Sequence, residues 1–462
     1  MAWYDIREFL NAMEEEGNVL HIRDELDPEQ EIGAVWTRLT RAQGPIGLHA
    51  RGSIKGYPEW SIASNVFGSY YRIARSFGIP EDELFNEVEK RLRHPMAPVV
   101  VDDGPLNENE YLGDDIDITK QIPNIRWNEK DAGAYITFGH NVLADPKYGI
   151  NVACYRALIL GPRKIVINFE PIHHGGLYLG RAKQAGKNEV DVALYVGGPP
   201  SAIAGAVAEV AVSASEYDAI GGLQQEPLEL VQCRTVDRLV PATAEVVLEG
   251  KIKLNEEVLE GPFGEFTGLY TEQYRQHPIE ITRLAFRNNP IWIGTAECRP
   301  VNETHLLLSL FESLCMKQKL AGLIPEIKDI YFPPESCGVF ECIVQLDSSL
   351  KRPGISKNML YSLSAGFLMA TTFILVDDDI DIRNRDEVSW ALETRVQNHR
   401  DIIIVPEGIT TPLNPAATPE GVVSKKFIDA TRQADARGQF VSVARELTEF
   451  ADQVIRNSGR VL

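Results

Sequence analysis

Asn151-Val-Ala-Cys-Tyr-Arg-Ala-Leu-Ile-Leu-Gly161, followed two residues later by Lys164-Ile-Val-Ile-Asn-Phe169, decides how the middle of this chain is read. Both runs are short and rich in apolar and β-branched residues, and Pro162-Arg163 separates them, so they are predicted strands. Working outward, similar runs lie at 190–196, 228–233, 245–249, 280–287 and 291–295. Only a few helical segments interrupt them, chiefly 177–184 and 202–213. Many strands with few helices over roughly 115–300 predict a β-barrel or a strongly curved sheet. One constraint sits inside the first run. Asn151 and Arg156 are an odd number of positions apart, so an ideal strand sends them to opposite faces. If both serve one site, the chain must bend or bulge between them.

The flanks read differently. Trp3, Ile6, Phe9, Leu10 and Met13 recur at helical spacing, and Gly17 can stop that helix. A short strand suits 18–23. Asp27-Pro28 reads as an N-cap with Pro at the first helical position, opening a helix that carries Ile32, Val35, Trp36 and Leu39. Pro80-Glu-Asp-Glu opens another helix toward His94, and a Pro- and Asp-rich connector covers 95–113. The last third returns to α/β, with a helix at 303–319, a buried strand at 373–376, a helix at 386–398 and a strand at 401–405. A final helix carries Val443, Leu447, Phe450 and Val454 on one stripe, suited to docking or an oligomer contact. The expected architecture is mixed α/β: an N-terminal α/β domain over 1–113, a central barrel-like domain over 114–305, a C-terminal α/β domain over 306–440 and the terminal helix over 441–462.

Composition narrows the function. The 462 residues, 44% of them hydrophobic, can fill large cores in two to four domains. A net charge of -20 repels phosphate backbones and argues against nucleic-acid binding. Cys154, Cys233, Cys298, Cys315, Cys337 and Cys342 form no C-x-x-C pair, so neither a zinc ribbon nor a disulfide scaffold is expected. The start lacks a signal-peptide pattern, and the apolar run 360–376 is broken by Ser and Gly and runs into Asp377. A cytoplasmic protein with no membrane association is expected.

Five constellations could carry chemistry. In Glu260-Gly-Pro-Phe-Gly-Glu265 a stiff turn separates two carboxylates. Close acids push their pKa values apart, so that one can act as a general acid; the rival reading is an exposed acidic hairpin. Arg156 can orient one such carboxylate or simply make a surface salt bridge. His173-His174-Gly175-Gly176 follows a strand and suits a metal or phosphate site, or an exposed loop. Glu216 is expected at the end of an apolar helix. With Asn151 and a histidine it would offer oxygen and nitrogen ligands suited to Mn²⁺ or Mg²⁺ rather than zinc; alone it is a solvated helix end. Asp377-Asp-Asp379-Ile-Asp381 can hold Mg²⁺ for phosphoryl transfer or cap turns, and the structural role is favoured because no P-loop or G-x-G-x-x-G accompanies it.

Read in order, these pieces resemble the UbiD family of reversible decarboxylases. The resemblance spans nearly the whole chain and is carried by Asn151-x4-Arg156, the His173 loop, Ser215-Glu-Tyr217 with Gly221-Gly-Leu223, Glu229-Leu-Val-Gln-Cys233, Val240-Pro-Ala-Thr-Ala-Glu245, Glu260-Gly-Pro-Phe-Gly-Glu265 and Val376-Asp-Asp-Asp-Ile-Asp381. It implies a central split β-barrel binding prenylated FMN, a cofactor supplied by a separate flavin prenyltransferase and held through Mn²⁺ (or Mg²⁺) with K⁺ nearby. By motif position Asn151, His173 and Glu216 would be the metal ligands, with His174 the alternative histidine. Ala153, Cys154, Tyr155, Arg156, Ile172 and Ala206 would complete the cofactor site. Glu265 would be the proton donor, and Glu260 would brace Arg156. The resemblance further implies an unsaturated, aromatic or heteroaromatic carboxylic acid and CO2 as reactants, and a homodimer or homohexamer. A working direction toward carboxylation, or a noncatalytic subunit of a larger carboxylase, is the second reading, and a Mg²⁺-dependent phosphoryl-transfer enzyme the third. Ile172 and 297–305 are expected to line the substrate pocket, where His305 would suit a phenolic acid. Two departures stand out: Met369-Ala-Thr-Thr372 lacks the family's phosphate-binding Lys, and His174 stands where an Arg or Lys is common.

Overall fold

The computed structural model describes residues 3–170, 173–208, 210–211, 214–352, 354–433 and 445–458. Near the N-terminus, Asp5 caps helix Ile6–Glu15 by accepting from the Glu8 amide, and the helix buries Ile6, Phe9, Leu10 and Met13. The next helix starts later than expected. Asp27-Pro28 forms a turn, in which Asp27 accepts from the Glu29 amide, and helix Glu31–Arg41 begins after Gln30. The Pro28 carbonyl is drawn to the Arg126 amide, and that tertiary contact overrides the local capping signal. Behind these helices lies a four-stranded sheet of Val19–Ile22, Ile46–His49, Ser61–Ser64 and Ile291–Ile293. Its last strand comes from the middle of the chain and ties the first and second parts together.

The central sheet decides where the site lies. Its path runs Tyr135–Ile136, Ala157–Gly161, Lys164–Ile167, Pro278–Phe286, Ala244–Lys253, Glu189–Gly197, His140–Asp145, Gly149–Cys154, with Asn109–Leu112 paired outside Pro278–Phe286. The run expected as one strand at 151–161 is therefore two, and they sit near opposite ends of the path. In a flat sheet those two strands would lie about 29 Å apart. The chain between Cys154 and Ala157 spans at most about 11 Å. The sheet must curl until its ends meet, and Tyr155-Arg156 crosses the seam. The parity conflict between Asn151 and Arg156 is resolved there, because the strand stops before the arginine.

Other expectations shift. The stretch 95–113 is not a bare connector: Val99–Val100 pairs with Glu229–Gln232, and Asn109–Leu112 joins the central sheet. The helix expected over 202–213 is only Pro200–Gly205, and Glu216 begins the next helix, Glu216–Gln224, rather than ending one. The last domain holds a five-stranded sheet ordered Ile327–Tyr331, Glu341–Leu346, Thr372–Asp377, Val422–Asp429, Ile402–Ile409. Thr372–Asp377 is central and parallel to both neighbours, which accounts for its unbroken apolar run. The apolar run 360–376 is divided between helix Ile355–Gly366 and this strand, and among the described residues no helix is long and apolar enough to cross a membrane. In the terminal helix Arg445–Asn457, Leu447, Phe450 and Val454 are exposed; Val443 lies outside the described residues.

Candidate active site

Strand Val258–Glu260 pairs with Tyr274–Gln276 and delivers Glu260 to the start of the Gly/Pro turn. Gly261 adopts φ +91°, and a Cβ there would lie 2.6 Å from the Glu272 carbonyl oxygen, so glycine is required. The Gly264 amide donates to Asp131 at 2.8 Å and the Glu265 amide to the Leu269 carbonyl at 2.9 Å, which fixes the far end of the turn. Arg156, arriving from the seam, meets both acids. Its Nε and Nη2 donate to the two oxygens of Glu260 at 2.9 and 2.8 Å, and its Nη1 donates to Glu265 Oε1. Glu260 is fully buried and Arg156 nearly so. Burial works against the arginine's charge, but the neighbouring carboxylates overcome it and raise its pKa. The Arg156 guanidinium also lies 5.2 Å from the Phe263 ring centre. The rival reading of an exposed acidic hairpin is excluded.

Asn151 lies on strand Gly149–Cys154, opposite Leu143. Its Nδ2 donates to Glu216 Oε1 at 2.9 Å, and the Val152 amide donates to Glu216 Oε2 at 3.0 Å. Asn151 Oδ1 is buried and accepts no hydrogen bond. Glu216 is buried too, which pushes its carboxyl up to about 7. Of the two histidines, His174 places Nδ1 4.0 Å from Glu216 Oε1, whereas His173 Nε2 lies 3.9 Å from Glu170 Oε2. Among the described residues no three His, Cys, Asp or Glu side chains form a ready metal cluster. The set of an orphaned amide oxygen, a buried carboxylate and an imidazole nevertheless fits a hard divalent cation, which would satisfy the oxygen and lower the cost of the carboxylate.

Both groups face one cavity of about 540 Å³, within the range of roughly 300–1,000 Å³ usual for organic cofactors and ligands. Asn151, Ala153, Cys154, Tyr155, Arg156, His173, His174, Ala206, Glu216 and Glu265 line it; Glu260 stands behind Arg156, and Ile172 lies outside the described residues. Phe138, Phe263, Phe266, Phe367 and Val339 supply flat apolar wall. His305 does not reach the substrate space. It is fully buried, its Nδ1 accepts from the Asn302 amide at 3.0 Å and its Nε2 is 2.6 Å from the Phe266 carbonyl oxygen. That pairing fixes the neutral Nε2–H tautomer, and burial pushes its pKa down to about 4. It tethers helix Glu303–Ala321 to the loop that carries Glu265.

Several residues of the site escaped the sequence reading. Tyr135 donates to Glu260 Oε1 at 3.1 Å from a two-residue strand with no legible pattern. Glu170, pushed up to about 7 by burial and by the charge of Glu265, shares the cavity; an acid three residues before the histidines was the available signal. Glu312 and Lys319 reach the cavity seven residues apart on one helix. The missing Lys near Thr372 is not replaced by the Thr371 hydroxyl, which lies 3.3 Å from the Phe340 carbonyl oxygen.

The acidic run lies elsewhere and is engaged by cations. Asp377 pairs with Lys351, Asp378 with Lys328 and Asp379 with Arg395, while Asp381 accepts from the Arg383 amide. Those contacts support the structural reading and leave the phosphoryl-transfer reading without a metal site there.

Comparison with known proteins agrees along the chain. The family models for the N-terminal, Rift-related and C-terminal domains of 3-octaprenyl-4-hydroxybenzoate carboxy-lyase (UbiD) match residues 10–92, 99–300 and 305–430. A phenolic acid decarboxylase of Bacillus subtilis (strain 168) is 32% identical over 95% of this chain and 95% of its own. The closed form of vanillic acid decarboxylase from Sedimentibacter hydroxybenzoicus is similar with a TM-score of 0.90 at 29% identity, covering 100% of both chains. An evolved dimeric form of the UbiD-class enzyme HmfF from Pelotomaculum thermopropionicum, in complex with prFMN, is similar with a TM-score of 0.83 at 26% identity over 96% of this chain and 97% of that one. A curled central sheet, a buried Glu-Arg-Glu set and three consecutive domain matches lead to one conclusion: this chain belongs to the UbiD family of carboxy-lyases.

Proposed function

We propose that the chain removes CO2 from an aromatic acid with prenylated FMN as cofactor, Glu265 as proton donor and Arg156 and Glu260 as its positioning partners. The observation that carries this reading is that Arg156, backed by Glu260, holds Glu265 on the wall of the cavity that Asn151 and Glu216 also line. Asn151, Glu216 and a histidine would hold Mn²⁺ or Mg²⁺ for the cofactor phosphate. The distances favour His174 over His173 as that histidine. K⁺ nearby, and a flavin prenyltransferase as the source of the cofactor, belong to the same reading. Prenylated FMN, when bound, supplies the electron sink for the pair of electrons left behind by CO2.

The chain's own residues do the rest. The aromatic wall orients the ring and excludes water, which strengthens every charge interaction in the cavity. Arg156 donates two hydrogen bonds to Glu260 and so can hold Glu265 through its remaining nitrogen without swinging. As the carbon–carboxylate bond breaks and CO2 leaves, a proton passes from Glu265 to the carbon, and Glu265 regains a proton from solvent. Run backward, the same steps allow carboxylation. The intact Glu260, Arg156 and Glu265 set disfavours the noncatalytic-subunit reading. The exposed stripe of Leu447, Phe450 and Val454 suits burial against a second copy in a homodimer or homohexamer. With six free cysteines, a reducing cytoplasm is the fitting compartment.

The test is coexpression with a flavin prenyltransferase followed by a screen of aromatic and acrylic acids for CO2 release. Turnover of an aromatic acid only after coexpression is expected. Equal turnover with unmodified FMN, or none with any acid, would refute the reading.

A further inference from the structure

We propose that Glu297 selects the substrate by accepting a hydrogen bond from a phenolic hydroxyl, so that the enzyme favours hydroxylated aromatic acids over their ethers and unsubstituted analogues. This rests on the decarboxylase reading above. Glu297 lines the same cavity as Glu265 and Arg156. Its carboxyl is held on both sides from the start of helix Glu303–Ala321: Asn302 Nδ2 donates to Oε2 at 2.8 Å and Thr304 Oγ1 to Oε1 at 2.6 Å. A carboxylate offers about four acceptor sites, so each oxygen keeps one for a ligand.

The support behind those donors is rigid. Asn302 Oδ1 accepts from the His305 amide at 3.1 Å, which leaves its Nδ2 free to face Glu297. His305 in turn accepts from the Asn302 amide and bonds the Phe266 carbonyl. The acceptor is thereby held in register with the loop that carries Glu265, and a substrate touching both would be placed by two fixed groups.

A purely structural role explains the arrangement poorly. Asn302 already caps the helix, and no helix amide donates to Glu297. Burial above all, with the charges of Glu265 and Glu303 adding to it, pushes Glu297 up to about 7. Like Glu170, it is a carboxyl in the field of Glu265, and a hydrogen-bond donor on a bound ligand would offset the cost. The cavity's aromatic wall accepts a ring, and a ring hydroxyl is the donor that a fixed carboxyl would discriminate. A methyl ether or bare C–H would leave the carboxyl desolvated without a new partner.

The experiment compares wild-type holoenzyme with Glu297→Gln and Glu297→Leu on hydroxybenzoic acids, their methyl ethers and benzoic acid. Three quantities are read: kcat/KM, the dissociation constant of the phenol product by calorimetry, and flavin content. Gln preserves the shape, its oxygen accepting from Asn302 and its amide donating to the Thr304 hydroxyl, so it guards against misfolding. The preference for hydroxylated over etherified acid should fall about tenfold in Gln and about a hundredfold in Leu. Phenol binding should weaken in parallel, with flavin content unchanged and turnover of the ethers equal to or above that of wild type. An unchanged preference in both variants, or a loss of flavin that slows all acids equally, overturns the assignment. Wild-type holoenzyme inert toward every aromatic acid would instead sink the decarboxylase reading and this inference together.

Discussion

On one part of the cavity wall Arg156 grips Glu260 through two parallel hydrogen bonds and reaches Glu265, with Tyr135 and the Asp131–Gly264 contact bracing the turn. On another, Asn151 and Glu216 share a single hydrogen bond, and Asn151 Oδ1 has no donor. The first group is complete in itself: each acid has a guanidinium nitrogen and the geometry is set by the fold. The second carries a costly buried carboxyl and an orphaned oxygen, which is what a protein presents when an external cation is to finish the structure. On the proposed function, proton delivery would be prepared by folding and cofactor retention by loading.

That contrast can be broken by mutation. Glu265→Gln should lower kcat by about 10²–10⁴-fold while flavin content, read from absorbance, stays at the wild-type level; near-normal turnover would remove Glu265 from its role. Glu260→Leu leaves a buried guanidinium facing an apolar side chain and should cost about 3–5 kcal/mol in urea unfolding. Glu297→Gln sharpens the contrast through pH. The wild-type carboxyl has a folded-state pKa of about 7, above the ordinary 4.5, so its stabilising proton uptake is present below 4.5 and lost as pH rises through 7. The variant should match wild type near pH 4.5 and exceed it by up to about 3 kcal/mol above pH 7, measured as unfolding free energy across pH. Asn151→Ala should weaken metal binding tenfold or more and release flavin with it, by metal analysis after dialysis, while leaving the fold intact. Smallest of all, Asp379→Asn weakens the pair between a part-exposed Asp379 and a buried Arg395 side chain that keeps Asp377 at 3.9 Å, and should change stability by about 1 kcal/mol, with turnover untouched.

The sequence made parts of this legible for physical reasons. Long strands such as Glu189–Gly197 and Pro278–Phe286 announce themselves because both faces are largely buried and apolar residues recur along them, unbroken over Val192–Val196 and spaced around Glu280 and Arg283 in the second. Tyr135–Ile136 and Val258–Glu260 are too short for any period, and their existence depends on partners far away in the chain. The break at Tyr155-Arg156 was readable as a parity conflict, though nothing local said which residue would yield. His305 looked like a free polar group for a phenol. Its burial comes from a capping box and a carbonyl 39 residues away, neither visible in composition. The two acidic clusters were equally ambiguous on paper. What separates Glu260–Glu265 from Asp377–Asp381 is where they stand: Arg156 and Glu265 line the cavity, whereas Asp377, Asp378 and Asp379 lie away from it and pair with Lys351, Lys328 and Arg395.

The two-residue crossover at the seam has a consequence of its own. Because Arg156 rides on the stitch that shuts the curled sheet, any perturbation that springs the sheet open pulls the guanidinium off its acids at the same moment. A permuted chain with new termini cut between Cys154 and Tyr155 would retain every ladder hydrogen bond of both strands. It should fold, keep the Asn151–Glu216 hydrogen bond and stand idle, a shell in which architecture has been uncoupled from chemistry.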